Sequence, residues 1–200
     1  MARSLGSQQS RMALAGCLTL LVLAGCGGKP FNVKTEVVLP AIAGAPAVES
    51  PAVRVQAAAV RDEDYLLSTF DANLILAGLL PVNVTITNRA AQPLDLRKAR
   101  FQVRAPDGHT YKAADANRAF KRLIQYYEIS TYSKDAYKQS REDFAAYALD
   151  VTGPLAMGES RQGMLFFILP DRAIRVTGLK LIGVRLDASE SKSAVELQLD

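Results

Sequence analysis

Few side chains in this sequence of 200 residues have the chemistry for nucleophilic or general-base catalysis: one histidine, His109, and two cysteines, Cys17 and Cys26. A Ser-His-Asp or Cys-His arrangement needs an imidazole placed to take and return a proton near neutral pH. His109 falls in Pro106-Asp107-Gly108-His109, a turn sequence between two apolar runs, and reads as a polar turn residue. The acidic groups Asp62-Glu63-Asp64 and Glu142-Asp143 lack the spaced Asp, Asn and Gly of a calcium loop, which must supply six to eight oxygens. They read as solvated or capping charges. Gly27-Gly28 has no phosphate-cradling spacing. Asn83-Val84-Thr85 fits a glycosylation sequon but lies within an alternating strand pattern. No catalytic residue, metal site or cofactor is expected.

Cys26 has a different chemistry in view. It closes Leu23-Ala24-Gly25-Cys26, after a polar start carrying Arg3 and Arg11 and an apolar stretch from Met12 to Ala24. Those 13 apolar residues are too few to span a bilayer, which takes about 20. A positive start, an apolar middle and small residues at the end describe a cleaved leader. The layout resembles the signals of bacterial lipoproteins. The resemblance implies a signal peptide over 1–25 and a thioether-linked diacylglycerol plus an N-acyl chain, such as palmitate, on Cys26. Membrane lipid is then the partner of that residue. Gly27, where an Asp would signal inner-membrane retention in such proteins, implies an outer-membrane lipoprotein facing the periplasm or the cell surface. A second Leu-Ala-Gly-Cys at Leu14 to Cys17 leaves only Met12 to Gly16 as its apolar stretch, so Cys17 is read as a discarded leader residue.

On that reading the mature chain has no free thiol and no disulfide, and its core alone must hold it. Two of the 24 basic residues lie in the leader and all 20 acids follow it, so the mature chain is nearer neutral than the formal charge of +4. No basic stripe points to nucleic acid.

Residues 26–51 carry Pro30, Pro40, Pro46 and Pro51 among Ala and Gly, which predicts a lipidated cysteine followed by a Pro/Ala-rich tether. About 25 extended residues at roughly 3 Å each would hold a domain up to some 75 Å from the bilayer. Val33 to Leu39 is a candidate edge strand within it.

From residue 52 to 200 the dominant period is two. Val53, Val55 and Ala57 alternate, as do Val82, Val84 and Ile86, then Phe101 and Val103, with a hairpin return around Tyr111. Met164 to Leu169 is a continuous apolar run, which predicts a strand buried on both faces. Leu179 to Leu186 and Val195 to Leu199 complete about seven strands. The expected fold is mainly β, an antiparallel immunoglobulin-like sandwich. From about 114 to 149 apolar positions recur at three and four, which predicts a helical insertion capped by Asp115 and by Ser133 or Asp135.

Pro81 to Asn88, Gln92-Pro93-Leu94, Phe101 to Tyr111 with Pro106-Asp107-Gly108, and Gly158-Glu159 leading into Gly163 to Pro170 together resemble small secreted immunoglobulin-like or telokin-like sandwiches. The resemblance covers roughly residues 81 to 170 and implies binding or structural duty in place of chemistry.

Five of the seven tyrosines, Tyr126, Tyr127, Tyr132, Tyr137 and Tyr147, fall in the insertion among Lys121, Arg122, Lys134, Lys138 and Arg141. Tyr and Arg are enriched at interfaces. Tyr126, Tyr127, Tyr132, Tyr137 and Arg141 are therefore the candidate partner-binding residues, unless the rings simply pack the insertion onto the sandwich. The functional expectation is a membrane-anchored envelope lipoprotein with a non-catalytic binding or scaffolding domain. The alternative is an accessory subunit of an envelope complex, docking on a protein partner through the Tyr-rich insertion. An unfamiliar enzyme ranks third.

Overall fold

A computed structural model of the chain describes residues 28–171, 176–186 and 193–199. The expected leader and Cys26 lie outside the described residues.

The period-two runs become antiparallel strands, and the order along the sheet is β1 (Ala47–Glu49), β2 (Val53–Ala59), β3 (Leu79–Asn88), β8 (Ser160–Ile168), β6 (Thr110–Ala114), β5 (Arg100–Arg104), β9 (Gly178–Leu186) and β10 (Ser193–Gln198). Two two-residue strands, β4 (Leu94–Asp95) and β7 (Pro154–Leu155), extend β9 on the side of β5. The longest ladder joins β3 to β8 from Leu79 opposite Ile168 to Thr87 opposite Ser160. The sheet curls until β10 approaches β1 and β2, so it is nearly closed. The protein is mainly β and antiparallel, with more strands than the seven expected: β1 comes from the Pro-rich region, and β4 and β7 are too short to leave a periodic signature.

β8 explains the continuous apolar run. Its successive side chains point to opposite faces. Leu165 and Phe167 enter the core enclosed by the sheet, with Val53, Val55, Val84, Ile86 and Val103. Met164 and Phe166 enter a second core beneath the helices, with Phe70, Phe120, Phe144 and Tyr147. Gly163 sits where the chain leaving the helices crosses β8: Leu149 N–H donates to the Met164 carbonyl at 2.9 Å, Met164 N–H to that of Tyr147 at 2.8 Å. A Cβ at Gly163 would collide with the Leu149 backbone.

The helical insertion forms between β6 and β7 as α2 (Ala116–Tyr126) and α3 (Lys134–Ala145). Asp115 accepts the Arg118 amide and Ser133 the Ala136 amide, so each caps its helix. An additional helix, α1 (Glu63–Phe70), follows β2. Its cap is Asp62, one of the acids read as solvated or capping, and its buried face carries Leu66, Thr69 and Phe70.

The described part of the expected tether, residues 28–51, lies on the domain instead of standing off it. Phe31 and Val33 are buried to within a few per cent and belong to the helical-side core. An extended Pro-containing chain has no internal hydrogen bonds, so its carbonyls need donors from elsewhere. Ser140 Oγ donates to the Phe31 carbonyl at 2.7 Å, the Tyr147 hydroxyl to those of Lys34 and Glu36, and the Tyr65 hydroxyl to Val38 at 2.8 Å. Asn83 Nδ2 donates to the Pro40 carbonyl at 2.6 Å, and Gln56 Nε2 to those of Ile42 and Ala45. The Lys34 amide reaches the Thr69 carbonyl, the one backbone bond in this stretch to α1. Val33 to Leu39 is therefore a strap held by side chains, not an edge strand.

Candidate functional site

The strap, α2 and α3 form one aromatic layer. Phe31 is central to it, edge-on to Phe120 at 5.9 Å between ring centroids and to Tyr127 at 5.8 Å. Phe120 contacts Tyr137 at 5.5 Å and Phe144 at 5.6 Å; Phe144 stacks on Phe166 of β8 at 4.7 Å. Edge-to-face and offset pairs contribute about 0.5–1.5 kcal/mol each beyond their area. The layer thus couples the strap to the sheet through both helices.

The five tyrosines of the insertion occupy three environments within it. Tyr147 is fully buried, 4.9 Å from Phe70, with its hydroxyl on the strap. Tyr132 and Tyr137 are half-buried and stacked on each other at 5.1 Å. Tyr126 and Tyr127 are exposed at the end of α2 and meet at right angles, 5.0 Å apart. Tyr127 is still fixed from behind: its hydroxyl accepts the Asn73 amide at 3.0 Å and donates to the Asn73 carbonyl at 3.1 Å. Arg141 is half-buried on α3. All four candidate rings connect through Phe31 and Phe120, a juxtaposition that the spacing along the insertion does not reveal.

Burial pushes the phenols of Tyr127 and Tyr147 above their ordinary value, and that of Tyr65 up to about 12. They act as neutral hydrogen-bonding groups at physiological pH. Asp143 is the buried acid of the layer, 8% exposed, and takes Gln139 Nε2 at 2.7 Å and the Lys29 ammonium at 3.1 Å. That ion pair brings the chain onto α3 from its third residue after Cys26.

A cavity of about 380 Å³ lies under the second half of the strap, between Pro40, Ile42, Ala58, Val60, Tyr65 and Asn83. Arg61 and Asp62 also line it; Asp62 accepts the Tyr65 amide, the Asn83 amide bridges Pro40 and Gln162, and the Tyr65 hydroxyl binds the strap. His109 lies far along the chain in the exposed β5–β6 hairpin, its Nδ1 3.0 Å from the Asp107 carboxylate. Among the described residues no three His, Cys, Asp or Glu side chains cluster as metal ligands. No helix among them is long and apolar enough to cross a membrane.

Nothing in the local sequence marks Ser140, Tyr65 and Asn83 as donors to the strap or Phe31 as its buried ring, beyond the spacing by one of the apolar Phe31 and Val33 in a polar Pro-rich stretch. No protein-family model matches the chain, and a search of curated proteins finds no significant relative.

Proposed function

We propose that the chain is a bacterial envelope lipoprotein, cut before Cys26 and acylated there, whose domain binds or scaffolds and does not catalyse. The observation that carries this reading is the pairing of Leu23-Ala24-Gly25-Cys26 with Lys29. The residue three positions past the lipid site is already ion-paired to Asp143 of the domain. A leader followed so directly by docked chain suits a protein held at a membrane by its first mature residue. Outer-membrane placement, facing the periplasm or the surface, follows from Gly27.

The finer architecture in this proposal is an immunoglobulin-like sandwich drawn nearly into a barrel. One layer is β1-β2-β3-β8, the other β5-β9-β10, and β6 is shared through its pairing with both β8 and β5.

Two or three acyl chains exceed the single chain that binds only marginally, at about 0.8 kcal/mol per buried methylene, so attachment is stable. Metabolic labelling with palmitate, followed by membrane fractionation, tests the reading. The parent chain is expected to take label and to sediment with outer membranes; Cys26→Ser is expected to take none and to keep its leader. Label entering Cys26→Ser refutes the anchor.

The exposure of Tyr126 and Tyr127 favours a second reading, an accessory subunit docking a protein partner through the insertion. Tyr126→Ala is then expected to weaken recovery of that partner in a pull-down of the membrane complex. Unchanged recovery counts against it.

A further inference from the structure

We propose that the Tyr126–Tyr127 corner, with Leu76 beside it, is the surface of the domain that seats in the headgroup layer of the bilayer carrying its own anchor. This rests on the acylation of Cys26 proposed above.

Three observations orient the domain. The first is chain length: an extended chain spans at most about 3.6 Å per residue, so the sulfur-bearing residue lies within about 11 Å of Lys29. Lys29 itself is pinned to Asp143 on α3. The bilayer surface must therefore pass close to Lys29, and the domain cannot present an arbitrary side.

The second is what lies around that point. Phe31, two residues on, is 5.8 Å from the Tyr127 ring, which is 5.0 Å from that of Tyr126. Asn73, which receives and donates to the Tyr127 hydroxyl, also accepts the Leu76 amide through its side chain. Tyr126 at 41%, Tyr127 at 36% and Leu76 at 38% are among the few large apolar side chains left exposed. Exposed tyrosines suit the water–lipid boundary, where an apolar ring and a polar tip are both accommodated.

The third is the opposite end of the molecule. β3 runs ten residues away from this region, about 33 Å at the rise of an extended strand. It ends at Asn88, whose carbonyl accepts the Gly158 amide, next to exposed Met157. Seating the tyrosine corner in the headgroups holds the Met157 turn away from the membrane. The acyl chains supply the attachment, and the corner supplies orientation.

The chain contains no tryptophan, so a single indole reports its own depth. Tyr126→Trp, Leu76→Trp and Met157→Trp are made in the full lipidated protein and reconstituted in vesicles of phosphatidylethanolamine and phosphatidylglycerol with brominated acyl chains. The indoles at 126 and 76 are expected to shift to the blue and to lose most of their emission to bromine; that at 157 keeps its emission. If the protein floats with the vesicles but the indoles at 126 and 76 stay unquenched, the orientation is overturned, acylation stands, and the corner is left free for a protein partner. Quenching at 157 instead overturns it likewise. If mass spectrometry finds Cys26 unacylated, the lipoprotein reading fails and this proposal with it.

Discussion

Phe31→Ala tests whether the strap is part of the folded domain. The ring is 3% exposed and makes two edge-to-face contacts, with Phe120 and Tyr127. Truncating a buried phenylalanine to alanine costs about 3–5 kcal/mol, the transfer loss plus the cavity left behind. Here an upper limit applies, because a strap near the chain's start can peel away and leave the sheet and helices folded. The loss cannot exceed the free energy that docks residues 28–45, so about 3 kcal/mol is expected, at the low end of that range. With a urea m-value of about 2 kcal/mol/M, the unfolding midpoint falls by about 1.5 M. Thr35→Ala, an exposed change in the same strap, is expected to stay within about 0.5 kcal/mol of the parent. The assay is urea unfolding of residues 28–200, followed by tyrosine fluorescence and by limited proteolysis across residues 28–45. If Phe31→Ala moves the midpoint no more than Thr35→Ala does, and cleavage of the segment is fast in the parent as well, residues 28–45 are a tether and the aromatic layer does not hold them.

Gly163→Ala would set a methyl group about 2.6 Å from the Leu149 backbone nitrogen and force β8 away from the crossing chain. About 3 kcal/mol of overpacking is expected, or a melting temperature roughly 9 °C lower by scanning calorimetry, and an unchanged melting temperature refutes the close approach. Burial raises the Tyr65 phenol from 10.0 to about 12 and raises those of Tyr127 and Tyr147 in the same direction. Because the folded values lie above the unfolded ones, their contribution is complete below pH 10 and is lost as pH climbs above it, over about pH 10 to 12 for Tyr65. Tyr65→Phe gives up the hydrogen bond to the Val38 carbonyl, about 1 kcal/mol at neutral pH, but flattens that alkaline loss. Urea midpoints measured on both sides of pH 10 check it, and parallel pH profiles for parent and variant would count against the buried phenol.

The strands and the helical insertion were legible because each carries its own signal. Val53, Val55 and Ala57, and Val82, Val84 and Ile86, alternate and are buried as their period predicts. The unbroken run from Met164 is buried on both faces because β8 has a core on either side. Asp115 and Ser133 cap the helices they precede. α1 has only eight residues; its cap, Asp62, was visible, as was the Leu66 and Phe70 pair four apart, but a short acidic opening masks so brief a pattern. Curling of the sheet toward closure depends on registers between strands far apart in the chain, which no local pattern encodes.

The strap was illegible for a different reason. A Pro- and Ala-rich stretch favours an extended backbone whether it is free in water or laid on a surface, so composition cannot separate the two. What decides between them is the supply of donors for its carbonyls, and two of those, Ser140 and Tyr147, lie more than 100 residues further along the chain. The same fact recasts the tyrosine cluster. Tyr147 is a clamp on the strap, Tyr132 and Tyr137 extend the packed layer, and only Tyr126 and Tyr127 are exposed, on the side where the chain arrives. Under the proposed acylation of Cys26, docking that begins at Lys29 leaves about 11 Å of reach where a free tether would leave some 75 Å. On that proposal, a partner of this domain would have to come to the membrane surface, since the domain would have no slack with which to go out and meet it.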